Sequence, residues 1–585
     1  MIKILKYLKP REWLLALVSL AFIVAQVWLD LRSPEYMQEI TVLTQTPGSA
    51  MGDIWMAGGK MLLCTLGSLA AAVVVGFFAA RIAATFSMQL RSRLFDRVES
   101  FSMEEINRFS TDSLITRSTN DITQIQMVLT MGLMLVVKAP ITAVWAITKI
   151  AGKGFEWTMA TGAAVAVMIV MIGILLVFVM PKFRKMQALI DNMNRVTREN
   201  LTGLRVVRAY NAEDYQERKF ETANKELTDT QLFTSRAMAV MMPVMTIIMS
   251  GLSLAIYWIG AYLIDAAALT DKLTLFSNMV VFSSYAMQVI MSFMMLVMIF
   301  VLMPRASVSA KRINEVLDTE PTILDGAKTE GAPGMRGEVA FRHVSFKYPD
   351  AADYVLEDVS FTVRQGETVA FIGSTGSGKS TLLNLVPRFF DATEGEILVD
   401  GVNVRDYAQE ALHNKIGYVP QRAVLFRGTV TSNVAYGDNG GDGFSEEEVR
   451  QAVAIAQGKE FVEGMEGGYE ADVSQGGSNV SGGQKQRLAI ARAVCRKPEL
   501  YLFDDSFSAL DYKTDRILRS VLKKETAGVT SMIVAQRIGT IMDADQIIVL
   551  DEGRVVGKGR HRELLLSCEV YRQIAMSQLS EEELA

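Results

Sequence analysis

Residues 367–390 read ETVAFIGSTGSGKSTLLNLVPRFF, and this stretch decides the fold of the second half of the chain. Inside it, Gly373-Ser374-Thr375-Gly376-Ser377-Gly378-Lys379-Ser380 matches the pattern GxxxxGK[ST]. The apolar run before the match reads as a strand and the run after it as a helix, the context a P-loop needs. Its glycines let successive backbone N–H groups point at phosphate, and the start of the helix adds its dipole. Lys379 is expected to neutralise charge on the β- and γ-phosphates and Ser380 to hold Mg²⁺, with Thr381 beside them in the nucleotide site.

Two further stretches belong with it. Residues 498–504, PELYLFD, form an apolar strand that ends in an acid. Such a run is common by itself; behind a P-loop it puts Asp504 beside the Mg²⁺. Ser481-Gly482-Gly483-Gln484, followed by KQRLAIARAV, opens a helix with free N–H groups and a hydroxyl, a second phosphate cradle. Alone, the same four residues read equally as an ordinary helix cap. One nucleotide has no use for two cradles unless the second faces the P-loop of another molecule. The pattern therefore predicts a dimer with ATP held between chains.

Outward from this half the composition changes. Of the 33 methionines, 28 precede residue 305 and five follow it, so the first half is the apolar one. Half of all residues are apolar and the mean hydropathy is +0.22, high for a wholly soluble protein of 585 residues, a length that allows two or three domains. A net charge of −5 speaks against a nucleic-acid partner. Cys64, Cys495 and Cys568 lie far apart without a CxxC, so neither a disulfide framework nor a zinc site is indicated.

Apolar stretches long enough to cross a hydrocarbon core of roughly 30 Å occur six times, near 13–31, 57–80, 128–150, 158–180, 238–264 and 275–303. The opening MIKILKYLKPREW is expected to lead into a retained span and not a signal peptide, since the apolar run outlasts a signal core and no small-residue cleavage site follows. Basic residues set the orientation. The N-terminal tail has Lys3, Lys6, Lys9 and Arg11; 81–127 has six Lys or Arg and 181–237 has eleven. The opposite connections have one each, Arg32, Lys153 and Lys272. Both termini and both long connections are expected on the cytoplasmic side of the cell membrane. The long connections are either solvated loops or helical extensions; helical spacing of apolar residues and the lack of a Pro/Gly cluster favour extensions.

Lys138, near the middle of the third span, either faces a cavity or partner or snorkels from a shifted helix end. Met287, Met291, Met294, Met295 and Met298 either line an adaptable cavity or pack between helices and lipid. The expected organisation is a membrane domain of six helices over 1–315, a linker over 316–336 and an α/β P-loop domain over 337–585.

Six spans, a P-loop, an intact Ser481–Gln484 signature and the strand ending at Asp504 together resemble the ABC exporters with fused domains, over nearly the whole chain. The resemblance implies that Tyr348, in VSFKYP, stacks on adenine and that Gln421, in GYVPQ, contacts Mg²⁺ and senses the membrane domain. It implies that 508–511, SALD, is the D-loop. The stretches 113–122 and 199–214 look like the family's two intracellular loops, whose short coupling helices seat on the nucleotide domains.

Two positions depart from the family. Asp505 stands where its catalytic Glu belongs, and Gln536, in IVAQR, where its switch histidine belongs. A carboxylate one methylene shorter sits roughly 1.5 Å back from the attacking water. General-base catalysis contributes about 10²–10⁴-fold and depends on that reach. Gln536 hydrogen-bonds to phosphate but carries no proton. The pattern resembles one chain of the heterodimeric bacterial multidrug exporters: a degenerate site of its own, and an intact signature donated to the competent site of a second half-transporter. The implied partners are that chain, the lipid bilayer and a small-molecule substrate. A homodimeric lipid flippase, an ATP-gated regulator or channel, and an importer of the same fold stand as alternatives.

Overall fold

A computed structural model describes residues 2–46, 48–268, 271–349, 351–438 and 443–580. The chain forms two compact units: Met1–Glu99 with Asp112–Thr319, and Ser100–Thr111 with Glu320–Ala585.

Among the described residues the first unit holds six helices long and apolar enough to cross a membrane: α1 (Pro10–Gln45), α2 (Met51–Glu99), α3 (Thr111–Ile150), α4 (Phe155–Thr202), α5 (Glu213–Ala266) and α6 (Lys272–Asp318), the last with its described apolar part over Lys272–Leu296. Lipid offers no hydrogen bonds to a backbone, so a spanning segment has to close its own ladder as helix. About 20 residues suffice for that. The helices run to 36–54 residues because their polar continuations keep helical periodicity. Residues 81–99, 181–202 and 213–237 are accordingly helix, not loop. Pro181 and Pro243 sit inside α4 and α5, which pack against each other.

Short helices occupy Met103–Phe109 and Leu204–Ala209. Ser102 starts the first with a capping box through Glu105, and Ser110, at φ 60°, ends it. The stretch 113–122, likened above to an intracellular loop, is helical and lies within α3, with a π-helical turn at Arg117–Asp121. Nothing in it breaks a helix, and Asp121 is held from α6 by the Ser309 hydroxyl at 2.8 Å and by Arg312 at 3.3 Å.

Lys138 follows a second π-helical turn, Gly132–Val136, and meets a partner: Asp30 of α1, at 3.2 Å. The Ser68 hydroxyl of α2 donates to the same carboxylate, and the Gln288 amide of α6 reaches the Asp30 carbonyl at 3.5 Å. One turn further along α1, Glu35 takes Lys149 and Arg32, both at 2.6 Å. Of the methionine run, Met291 is exposed at 43% and the side chain of Met298 lies outside the described residues.

The second unit is built on β1 (Val339–Phe346), β2 (Leu356–Val363), β3 (Thr368–Gly373), β4 (Glu394–Val399), β5 (Val402–Asn403), β6 (Ile416–Val419), β7 (Gly428–Thr429), β8 (Asp472–Val473), β9 (Leu500–Asp504), β10 (Thr530–Val534), β11 (Gln546–Asp551) and β12 (Arg554–Gly559). Its main sheet has the order β12-β11-β3-β10-β9-β6, parallel except at β12. An antiparallel sheet, β2-β1-β4-β5, lies in the same unit, with Phe341 and Phe361 stacked 4.6 Å apart across β1 and β2. Alternate residues of the parallel strands enter two cores. Ala370, Ile372, Phe503 and Ile533 join one; Val369, Phe371, Leu502 and Val534 join the other. A sheet covered on both faces needs unbroken apolar strands, and ETVAFI and LYLFD supply them.

The membrane pair gives a test. Lys138→Leu leaves the Asp30 carboxylate among helices without its counter-ion, and should cost on the order of 2 kcal/mol of stability. Thermal unfolding in detergent should show a lower Tm for that variant and recovery of most of it in Asp30→Leu/Lys138→Leu. An unchanged Tm for the single variant would mean the pair contributes nothing.

Candidate functional site

The site lies at the carboxyl ends of β3, β9 and β10, where a parallel sheet leaves loops free to carry polar groups. β3 ends at Gly373 and the chain turns through Ser374–Gly378 into helix α7 (Lys379–Leu385). The turn requires glycine at 378: φ is +91°, and a Cβ there would fall 2.8 Å from the Val355 carbonyl oxygen. Leu382, Leu383 and Leu385 anchor α7 in the second core, so the loop ahead of it is held from both sides.

The Lys379 ammonium donates to the carbonyls of Gly373 at 2.9 Å and Ser374 at 2.6 Å, and to the Ser377 hydroxyl at 3.3 Å. Burial pushes its pKa below the ordinary lysine value, against the pull of Asp505 and Asp504. The Ser380 hydroxyl donates to Asp504 Oδ1 at 2.7 Å. Burial pushes the Asp504 carboxyl up; Ser380 opposes this and the Asp505 charge adds to it. Paired hydroxyl and carboxylate oxygens suit Mg²⁺, a hard cation that takes few protein ligands and keeps the rest for phosphate and water.

Asp505 follows directly. Its φ is +45°, a left-handed conformation held by its N–H bonding to the Val534 carbonyl at 3.0 Å. Strain of this kind is kept where the surroundings dictate it, often at functional sites. Oδ2 of Asp505 accepts from two amides, Gln536 Nε2 at 2.8 Å and Gln421 Nε2 at 3.3 Å. Burial raises its pKa, against the Gln421 amide and Ser508. Ser508 also donates its hydroxyl to the Asp505 carbonyl at 2.9 Å, and Arg537 reaches the Ser508 carbonyl at 3.3 Å.

The fold thus brings Lys379, Ser380, Asp504, Asp505, Gln421 and Gln536 into one cluster. Tyr348 stands beside it: its hydroxyl lies 3.0 Å from the Thr381 hydroxyl, and its ring packs edge-on to Phe346 and Phe390. The Ser481–Gln484 turn does not join the cluster; among the described residues no hydrogen bond links it to the P-loop. Ser481 caps helix α8 (Gly482–Cys495), accepting from the Gln484 N–H at 3.3 Å, while its own N–H donates to Gln484 Oε1 at 2.8 Å. The buried side of α8 enters the first core, opposite that of α7.

Two glutamines of the region carried no signal in the sequence. Gln486 of α8 donates to the Pro420 carbonyl at 3.2 Å, tying the signature helix to the segment before Gln421. Gln578 holds the backbone on both sides of Arg537: its Nε2 donates to the Gln536 carbonyl and its Oε1 accepts from the Ile538 N–H, each at 2.8 Å.

Residues 356–508 match the ABC transporter family and residues 53–293 its transmembrane region. The chain is 38% identical to an uncharacterized ABC transporter ATP-binding protein of Mycobacterium tuberculosis, over 98% of this chain and 97% of that one. It is 31% identical to the ATP-dependent lipid A-core flippase of Pseudomonas aeruginosa, over 86% and 82%. The structure is similar to that of a bacterial Atm1-family ABC exporter with ATP bound, with a TM-score of 0.78, 25% identity and 98% of each chain covered.

Lys379→Ala should weaken ATP binding at this P-loop strongly, because phosphate charge loses its counter-ion. Photolabelling of the chain by a radiolabelled azido-ATP measures it, and undiminished labelling would reject the assignment. Tyr348→Ala should lower ATP affinity by about 1–3 kcal/mol if its ring stacks on the base, read from a binding titration.

Proposed function

This chain belongs to the ABC transporter family, and on that premise we propose that it is the degenerate-site half of a heterodimeric exporter. It is an exporter half-transporter with fused membrane and nucleotide-binding domains, and ATP hydrolysis by that family's ATPase domain drives transport. The proposal concerns the division of labour. In this reading 1–315 is the membrane domain, 316–336 the linker and 337–585 the nucleotide domain, with both termini cytoplasmic. Lys379, the P-loop amides and Tyr348 hold ATP, and Ser380, Asp504 and Gln421 hold Mg²⁺. Substrates are amphipathic or hydrophobic compounds, drugs among them.

The observation that carries the reading is the double occupation of Asp505 Oδ2 by the amides of Gln536 and Gln421. A general base must present a free lone pair to the water it deprotonates. Two N–H donors take up lone pairs of that oxygen and hold the carboxylate in place, and the short side chain keeps it back from the water. Neither glutamine accepts a proton to compensate. The helix cap at Ser481 and Gln484 is complete, which supports a working signature for the partner's site. A homodimeric flippase is the second reading, favoured by the similarity to the lipid A-core flippase.

Replacing Asp505 by Asn should leave most of the ATPase activity of the co-purified pair. Replacing Ser481 or Gly482 should remove most of it, since those groups would stabilise developing charge at the competent site. ATPase rates at saturating ATP decide between the readings. If Asp505→Asn eliminates activity as fully as the signature variants do, Asp505 is a working base and the homodimer moves ahead.

A further inference from the structure

Gln536 stands at a bend past the end of β10, Arg537 is extended at φ −104° and ψ 127°, and a short helix begins at Ile538. Across one extended residue the carbonyl before it and the N–H after it point the same way, as toward a neighbouring strand. Among the described residues no strand pairs with them there. Gln578, just beyond the helix Glu569–Met576, takes the place of one: its carboxamide donates to the Gln536 carbonyl and accepts from the Ile538 N–H, both at 2.8 Å. A primary carboxamide is the side-chain group that mimics a peptide unit in this way, offering a donor and an acceptor side by side. Just before the first anchored atom the Gln536 side chain reaches Asp505 at 2.8 Å, and between the two Arg537 reaches the Ser508 carbonyl at 3.3 Å.

We propose that Gln578 is a positioning residue for this chain's ATP site, setting the direction of the Gln536 amide and making the C-terminal segment part of the site's control. The inference rests on the reading above that Gln536 stands at the family's switch-histidine position, where a bound γ-phosphate would meet its amide. The clamp fixes the Gln536 carbonyl and the peptide that follows it, and so sets the backbone from which the Gln536 side chain departs. The segment is also tied by the Ala535 N–H to the Phe371 carbonyl at 3.1 Å and by Ile538 in the first core, but among the described residues Gln578 is the group that fixes the Gln536 carbonyl. A contact that acts through the γ-phosphate must discriminate ATP from ADP, whereas a contact that merely supports the fold affects both alike.

Gln578→Glu is the informative change, because it keeps size and shape, retains the acceptor and replaces the donor with an oxygen facing the Gln536 carbonyl. The full-length chain in nanodiscs, titrated with MgATP and with MgADP, should show ATP affinity lower by about tenfold in Gln578→Glu, the scale of one well-formed hydrogen bond to a charged neighbour's network. ADP affinity should be unchanged. Gln536→Ala should show the same selective loss, and the double variant no more than either alone. Equal loss of ATP and ADP affinity in Gln578→Glu would make the residue structural and overturn the proposal, as would no loss at all while Gln536→Ala weakens ATP. If Gln536→Ala itself leaves ATP affinity intact, the γ-phosphate role of Gln536 fails first, and an effect of Gln578→Glu would then have to travel by another route, which also overturns the positioning role.

Discussion

Two carboxylates in adjacent positions, Asp504 and Asp505, are buried at the end of a central parallel strand. Removing charges from water is costly, and placing like charges together adds to the cost. Most of the site's geometry answers this constraint. Ser380 donates to the first carboxylate and Gln536 and Gln421 to the second, while the Lys379 ammonium lies close enough to favour both charges. These donors come from three segments, those that follow β3, β6 and β10, which the sheet order gathers at the strands' carboxyl ends. The parallel arrangement with both faces covered is what delivers the strand ends there without exposing apolar side chains.

The membrane unit meets a related constraint differently. Its helices satisfy their own backbones, so the costly groups are side chains, and these are placed as cross-helix pairs. Asp30 with Lys138 and Glu35 with Lys149 join α1 to α3. The Tyr285 hydroxyl of α6 donates to the Leu31 carbonyl at 3.0 Å, between those two carboxylates along α1. Lipid gives helices little hydrophobic reason to associate, so polar contacts of this kind weigh more in choosing neighbours.

What could be read in the sequence was what is local along the chain. The P-loop bonds of Lys379 close within six residues, and the Ser481 cap within three. Hydropathy located the six helices, but not their ends, because an amphipathic continuation in water keeps the same period as a span. Helical spacing ran on through 90–109, so the break that makes Met103–Phe109 a separate helix went unread, as did its stop, a backbone angle at Ser110 and not a proline or glycine. Lys138 stood out as a charge in an apolar run, whereas Asp30, at the edge of a span, looked like an ordinary interfacial residue. The Asp505 contacts to Gln536 and Gln421 join residues 31 and 84 apart, and Gln578 lies 42 residues from Gln536. No periodicity or spacing encodes such meetings; they exist only after the strands are ordered.

The paired prolines of α4 and α5 give these two rods an uneven stiffness. Pro181 lacks the N–H that would bond the Val177 carbonyl, and Pro243 the one for Ala239. Both interruptions fall near the change from apolar to polar sequence, one where a span ends and the other where its neighbour begins. Elsewhere each rod resists bending through an unbroken ladder. Lys182 of α4 lies over the Phe233 ring of α5, so the two missing rungs fall at different levels of the pair, roughly 12 Å apart along the axis. An elastic load on the polar extensions therefore meets two separate weak points, and at each of them the neighbouring ladder is still whole.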